Sequence, residues 1–431
     1  MPPGVKRKRA KAEPSAGESR KHREEPKTAF DWLLSTAITP AAFFKQHWEK
    51  RHFFAQLSRS GAHRYDKLAV GLNGAVCNGT RQPLFDTTRL LEIARLHGPL
   101  ELGRQLQVMQ IGEHGRESAE TPEDGLASAA WLEARLEEGF TVQLFQPQHW
   151  CDRLWALLAA MEAELGGLCG CSVYHTPSGC QGLAAHHDDV EVFILQTAGR
   201  KRWRLYPPLD GHALPATPSA DLAEERLGPC LLDITVAPGD LLYLPRGVVH
   251  QAVSLEGASS THLTLSSYQR HAWADLLGVM LPRAIERASH ASLELRRGLP
   301  VGFLTHAGSA ASAGSGAVSS RAVEAQRGFE TAASAALQQV LDVALRADAT
   351  TELAHEAADE IGADFMQNRL PPCRPVAAAV ASGPPPSLEA PADELEMRLC
   401  APSLRRLVLG SHAGGDDFVQ VQHCLHPSPR P

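Results

Sequence analysis

Three residues in this chain could share one metal ion. His186 and Asp188 stand two apart in AHHDDVEVFILQ, and His250 lies in PRGVVHQAV, a second β-type run. Side chains alternate across a strand, so positions i and i+2 share a face. Two imidazoles and one carboxylate can take three adjacent corners of an octahedron and leave three open. That is the facial triad of non-haem iron(II) oxygenases, where the open corners accept an oxoacid and dioxygen. His-x-Asp alone occurs by chance in many chains. Its strand context and the distal His give it weight. The bland alternative makes each His a satisfied core residue and Asp188 a turn residue. It accounts for any one of the three better than for all three together. His187 and Asp189 point to the opposite face if the strand is regular; a β-bulge would reverse that.

Lys201 is a second, independent signal. Gln196-Thr197-Ala198-Gly199-Arg200 reads as a hairpin turn, and KRWRLY as the returning strand. Lys201, Trp203 and Leu205 then share one face, and Arg202, Arg204 and Tyr206 the other. A Lys in line with Trp and Leu faces the interior unless the strand is an edge. A buried ammonium needs an anionic partner or loses its proton. The distal carboxylate of 2-oxoglutarate would be such a partner. The competing reading is a Lys that snorkels at a barrel rim.

These residues sit in a stretch, 172–268, where the hydrophobic period is two. VEVFILQ, KRWRLY, DITVA, LLYLPRG, VVHQAV and HLTLSSY alternate with turn residues, the pattern of an antiparallel sandwich or barrel. Helices flank it. Order is expected near Phe30, with apolar spacing through Leu33, Leu34 and Ile38. Thr39 and Pro40 then restart a second helix as N-cap and first-turn residue, with Phe43, Phe44 and Trp48 as its core stripe. Residues 112–128 read as a surface loop. Residues 151–165 read as an amphipathic helix stopped by Gly166-Gly167. After 270 a helical period returns, with Trp273, Leu276, Leu277, Met280, Leu281 and Ile285 on one surface. Residues 307–320 read as a flexible insert, and helical patterning resumes over 329–370.

The whole chain has 431 residues, 43% hydrophobic and 21% charged, which suits a folded protein of two or three units and excludes wholesale disorder. No apolar run is long enough to cross a bilayer, and the N-terminus lacks the apolar segment of a secretory signal. Net charge is −7, yet residues 1–29 hold nine Lys/Arg against four Asp/Glu. That segment reads as a disordered basic tail and a nuclear or nucleolar address. The nine cysteines form no regular framework. Cys169 and Cys171 lack a matching second pair for structural zinc, and reduced intracellular thiols fit better.

The run SVYHTPSGCQGLAAHHDDVEVFILQTAGRKRWRLY, with VAPGDLLYLPRGVVHQA and LTLSSYQRHAWADLL, resembles the JmjC ribosomal oxygenases. The likeness covers about 30–300 and continues more weakly through ADFMQNRLPP. These are nucleolar histidyl hydroxylases of ribosomal proteins, some also described as histone lysine demethylases. The resemblance implies an α+β protein with a double-stranded β-helix core, a jelly-roll of cupin type. It also implies a helical region that forms a homodimer and a winged-helix C-terminal region. The expected division is 1–29 tail, 30–270 catalytic domain, 271–375 helical region and 376–431 linker with a partial winged helix. Iron(II) ligands fall on His186, Asp188 and His250, and the 2-oxoglutarate lysine on Lys201. Tyr174 lines the co-substrate or substrate side; Gln143 and Ser266 line the substrate channel. Two departures stand out. Ala185 precedes His186, and His187 follows it, where the family has Pro and Tyr. Ser172 replaces an Asn two residues before Tyr174, losing the amide's paired donor and acceptor.

The leading expectation is therefore an iron(II)- and 2-oxoglutarate-dependent dioxygenase acting on a histidyl side chain of a ribosomal protein. A histone lysine demethylase would use the same chemistry. A non-catalytic chromatin or ribosome-assembly protein would rely on the basic tail for RNA or chromatin contact. A zinc hydrolase on the same three ligands lacks an obvious general base beside them.

Overall fold

The computed structural model describes residues 28–70, 76–113, 115–209, 212–305, 307, 320–370, 405–411 and 417–423. The expected basic tail and nearly all of the 307–320 insert lie outside the described residues. The first helix, Ala29–Leu34, is capped by the Thr28 hydroxyl, which accepts from Asp31 N at 3.0 Å. The second, Pro40–Gln46, starts at Thr39 as its N-cap with Pro40 in the first turn. Its aromatic stripe is core: Phe43 meets Tyr243 edge-on with ring centres 4.9 Å apart, and Trp48 stacks on the same ring at 6.0 Å. The helix Asp152–Leu165 ends at left-handed Gly166, where lack of a Cβ removes the steric cost. Its last turns tie down both ends of the folded unit. Glu164 accepts from the backbone of Ala29 and Phe30, and Glu162 from Cys169 N at 3.1 Å and Leu370 N at 2.7 Å.

The early strands are β1 (Phe53–Ala55), β2 (Leu68–Val70), β3 (Val76–Asn78), β4 (Leu100–Glu101), β5 (Leu106–Gly112), β6 (Gly115–Ser118), β7 (Leu126–Ala127) and β8 (Thr141–Phe145). The period-two stretch then supplies β9 (Cys169–Thr176), β10 (Glu191–Ala198), β11 (Lys201–Tyr206), β12 (Leu232–Val236), β13 (Leu241–Leu244), β14 (Val249–Ser254) and β15 (Ser260–Ser267). Eleven of them form two antiparallel sheets, ordered β1-β13-β10-β15-β9-β8-β5-β6 and β12-β11-β14, while β2 pairs with β3 and β4 with β7. Strands β6 and β7 correct the expectation of a plain loop over 112–128. Alternation there is too short and too polar to read as strand, but β6 pairs with β5 at the sheet edge.

The two faces of the large sheet explain its sequence. In β10, Val192 and Ile194 pack inward with Trp203 and Leu205 of β11, while Phe193 and Leu195 pack outward on the helical layer. A strand buried on both faces reads as a continuous apolar run. In β15, Leu263 and Leu265 point outward to the same helices. His262 and Thr264, on the inner face, line a cavity.

The turn at 196–200 is not a hairpin. β10 pairs with β13 and β15, whereas β11 pairs with β12 and β14. The chain leaves one sheet and enters the facing one through a register slip between Gln196 and Ala198. Gly199 has φ +60°, and a Cβ there would lie 1.8 Å from the Ser259 carbonyl oxygen. A corner and a hairpin both need such a glycine, so local sequence does not distinguish them.

Beyond the barrel, the helix Trp273–Ala291 packs Ala284 and Ala288 against Val340 and Leu353 of the helices Ser320–Ala344 and Ala347–Asn368. Arg283 and Arg287 reach Glu352, Glu356 and Glu360 across the pair. Trp273, Leu277, Leu281 and Ile285 stay exposed, Trp273 to 81%. No described residue covers that stripe. Within 376–431, the described residues form the hairpin β16 (Arg405–Ser411) and β17 (Asp417–His423), which packs on the helix Ala347–Asn368.

Candidate active site

His186 and Asp188 do not lie on one regular strand, as the spacing suggested. His186 is held by an isolated bridge to His250, and Asp188 follows in an irregular segment before β10. The backbone of His250, in β14, fixes His186 instead: His186 N donates to His250 O at 3.1 Å, and His250 N to His186 O at 2.8 Å, while Gly247 N donates to Asp188 O at 2.9 Å. The ring centres are 4.5 Å apart. Each Nδ1 meets a carbonyl, Ala184 O at 2.8 Å and Val248 O at 3.0 Å. A carbonyl can only accept, so each Nδ1 carries the proton and each Nε2 keeps its lone pair. Those Nε2 atoms face the Asp188 carboxylate at 3.8 and 3.7 Å. Burial first, then the neighbouring His186, holds His250 down to about 4, against the pull of Asp188. It is a neutral imidazole at pH 7, the form that binds metals.

The three donor atoms lie within 4.8 Å of one another, and no other such cluster occurs among the described residues. Bonds of roughly 2 Å can converge on one ion from such a set with modest closing. Asp188 is 31% exposed, so the set is open on its carboxylate side. The neighbours do not compete. Asp189 accepts from Gln269 Nε2 at 2.8 Å, and the His187 backbone is bonded to Ser219.

Lys201 opens onto the same narrow cavity of about 40 Å³, with Trp203 and Tyr174 also in its wall. Its side chain is 4% exposed, and Nζ donates to Thr176 Oγ1 at 3.0 Å. No carboxylate among the described residues pairs with it. Burial alone pushes Lys201 down to about 7. An ammonium with unused N–H donors, facing a cavity, is a receptor for an anion.

Residues 143–276 match the family model described as the JmjC domain. This chain carries a JmjC domain. Among curated proteins it is 36% identical to ribosomal oxygenase 1 of Rattus norvegicus over 280 residues, covering 65% of this chain and 43% of the relative. It is also 36% identical to the bifunctional lysine-specific demethylase and histidyl-hydroxylase NO66 of Dictyostelium discoideum over 288 residues, 64% of this chain and 51% of that protein. The chain thus spans about half the length, or less, of these relatives. Among solved structures it is similar to Escherichia coli ribosomal oxygenase YcfD, with 17% identity, a TM-score of 0.42, and coverage of 76% and 71%.

Within the JmjC domain the remaining expected residues are unequal. Tyr174 lines the cavity, and its phenol oxygen accepts from Gln143 Nε2 at 2.8 Å. Burial, with Asp188 nearby, raises the Tyr174 phenol above its ordinary value. Gln143 meets the cavity only through Tyr174. Ser266 lies on the same face of β15 as Thr264 and His262, one step beyond the lining and further from Lys201. Ser172 sits across from Thr264 on β9. Thr176, Thr141 and His262 were not singled out by sequence. The i, i+2 alternation of polar residues in HLTLS was the signal that could have found His262.

Proposed function

We propose that this chain is an iron(II)- and 2-oxoglutarate-dependent dioxygenase that hydroxylates a histidyl residue of a ribosomal protein. The observation that carries the reading is Lys201, a buried ammonium lacking a carboxylate, in one cavity with a His-Asp-His set whose tautomers leave Nε2 free. The residues fit both groups. His186, Asp188 and His250 would hold the iron, and Lys201 with Thr176 would hold the distal carboxylate of the oxoacid. Together with the oxoacid and dioxygen, the metal supplies the oxidising power for placing oxygen on a C–H bond, with succinate and carbon dioxide as by-products. The chain does the rest. The carbonyls of Ala184 and Val248 keep both imidazoles neutral and aimed. Val192, Ile194 and Trp203 exclude water from the cavity. Gln143 keeps the Tyr174 hydroxyl oriented, since its amide donates to that oxygen and leaves the phenolic proton free for a bound molecule.

The exposed Trp273, Leu277, Leu281 and Ile285 support a homodimer through the helical region, and the hairpin β16–β17 supports a wing at the C-terminal end. The relatives' names and the basic residues of 1–29 support a nuclear, nucleolar site of action. Succinate release from 2-oxoglutarate, with iron(II) and a ribosomal-protein peptide, tests the reading. Turnover no greater than that of Asp188→Ala would contradict it. The name of the NO66 relatives favours a second reading, demethylation of a histone lysine. Hydroxylation of an N-methyl group yields formaldehyde, so formaldehyde from a methylated histone peptide separates the two.

A further inference from the structure

Four histidines lie in or near the barrel, and three are accounted for. His186 and His250 give Nδ1 to carbonyls and Nε2 to the metal set. His175 lies between two hydroxyls, with Thr87 Oγ1 at 3.3 Å and Thr261 Oγ1 at 2.8 Å. His262 is the exception. It is 2% exposed, its Nδ1 is buried without a hydrogen-bond partner, and its side chain bonds to no described residue. A buried polar group left unpaired by the protein calls for a partner from elsewhere.

Its ring cannot turn away to find one. It stacks on Tyr174 with centres 5.0 Å apart and planes 5° from parallel, and the edge-on Trp203 ring is 5.4 Å away. Its backbone is registered between Tyr174 of β9 and Gln196 of β10. All three rings line the cavity that Lys201 enters. Along β9 and β15, the Tyr174–His262 pair is two residues from the Thr176–Ser260 pair, on the same face, and Thr176 carries the Lys201 ammonium. His262 therefore flanks the space beside Lys201 and has unused hydrogen-bonding capacity.

We propose that His262 is a positioning residue for the dicarboxylate co-substrate, binding its distal carboxylate beside Lys201 as a neutral N–H donor. This rests on the oxygenase reading and deepens it: Lys201 supplies charge, while His262, fixed between two rings, supplies direction. The site then selects oxoacids that carry a second carboxylate.

The test uses the full chain loaded anaerobically with iron(II). Calorimetry gives dissociation constants for 2-oxoglutarate and for 2-oxopentanoate, which keeps the chelating end and lacks the distal carboxylate. His262→Leu should weaken 2-oxoglutarate at least tenfold and leave 2-oxopentanoate within twofold, and His262→Gln should recover much of the loss. Equal losses for both oxoacids, or no loss, would overturn the proposal. An unsubstituted protein that takes iron but not 2-oxoglutarate overturns the parent reading and this one with it. Should the leucine variant not fold, the unsubstituted chain decides. With zinc(II) in the metal site and nitrogen-labelled histidine, a slowly exchanging imidazole N–H signal should appear on adding 2-oxoglutarate and not 2-oxopentanoate. Failure of that signal to appear overturns the proposal.

Discussion

His186 and His250 are bonded to each other through their backbones in both directions, at 3.1 and 2.8 Å. Two imidazoles far apart in sequence are thus fixed by one local exchange, and Gly247 N holds the intervening Asp188 by its backbone carbonyl at 2.9 Å. The proposed metal set is thus largely assembled, with modest closing left to the ion. Iron(II), or a redox-inert substitute, at a hundred times its dissociation constant should stabilise the fold by about 2.7 kcal/mol. Asp188→Ala should lose that gain, because two imidazoles alone hold a divalent ion poorly, while its melting temperature without metal stays near that of the parent. Thermal melts with and without a chelator check both expectations.

Lys201 gives stability and binding opposite pH dependences. Burial holds its pKa at about 7 in the folded chain, against an ordinary value of 10.5. Between those values the unfolded chain keeps a proton that the folded chain has lost, so stability rises with pH across the window. Below pH 7 both states are protonated and the full cost of the buried charge is present. Lys201→Met should remove the slope and raise stability at neutral pH, since it removes an unpaired buried charge. The same variant should lose 2-oxoglutarate binding. In the parent chain affinity should fall about tenfold per unit above pH 7, since the anion selects the ammonium form. Denaturant unfolding at several pH values and calorimetric titration read the two trends separately.

Gln143 touches the cavity through the Tyr174 hydroxyl alone, at 2.8 Å. Gln143→Ala should therefore leave metal and oxoacid binding within about threefold, a loss of under roughly 1 kcal/mol. It should lower coupled hydroxylation more than it lowers succinate formation. The ratio of modified peptide to succinate is the measurement. Ser266→Ala should behave alike, because Ser266 lies beyond the cavity lining.

The exposed stripe on the helix Trp273–Ala291 predicts an assembly. Trp273→Asp combined with Leu277→Asp should shift the protein to a smaller species in sedimentation experiments, with metal binding retained. An unchanged species would show that this surface serves something other than self-association.

Much of the site was legible because its chemistry is local. His-x-Asp, the distal His and a Lys in line with Trp203 and Leu205 can be found without knowing which strands pair. The inward Lys201 followed from alternation alone. The path of the chain was not legible to the same degree. The turn at Gly199 reads as a hairpin, and only the two-faced burial of β10 sends β11 into the other sheet. Nor does Asp188 sit on the regular strand that its spacing suggested, since the bridge to His250 ends the pairing just before it. His262 was passed over because a single His amid Leu and Thr looks like core. What distinguishes it is the lack of a partner, a property of the assembled barrel.

In the proposed function, one cavity joins a His-Asp-His metal set to an ammonium that grips an oxoacid, and a histidine is oxidised there. Mass spectrometry of ribosomal proteins incubated with the chain, iron(II), 2-oxoglutarate and isotopically heavy dioxygen tests it most directly. One heavy oxygen atom is expected on a single histidyl residue, absent with Asp188→Ala and with Lys201→Met. Ribosomal proteins that gain no oxygen, or gain it equally with either variant, would contradict it.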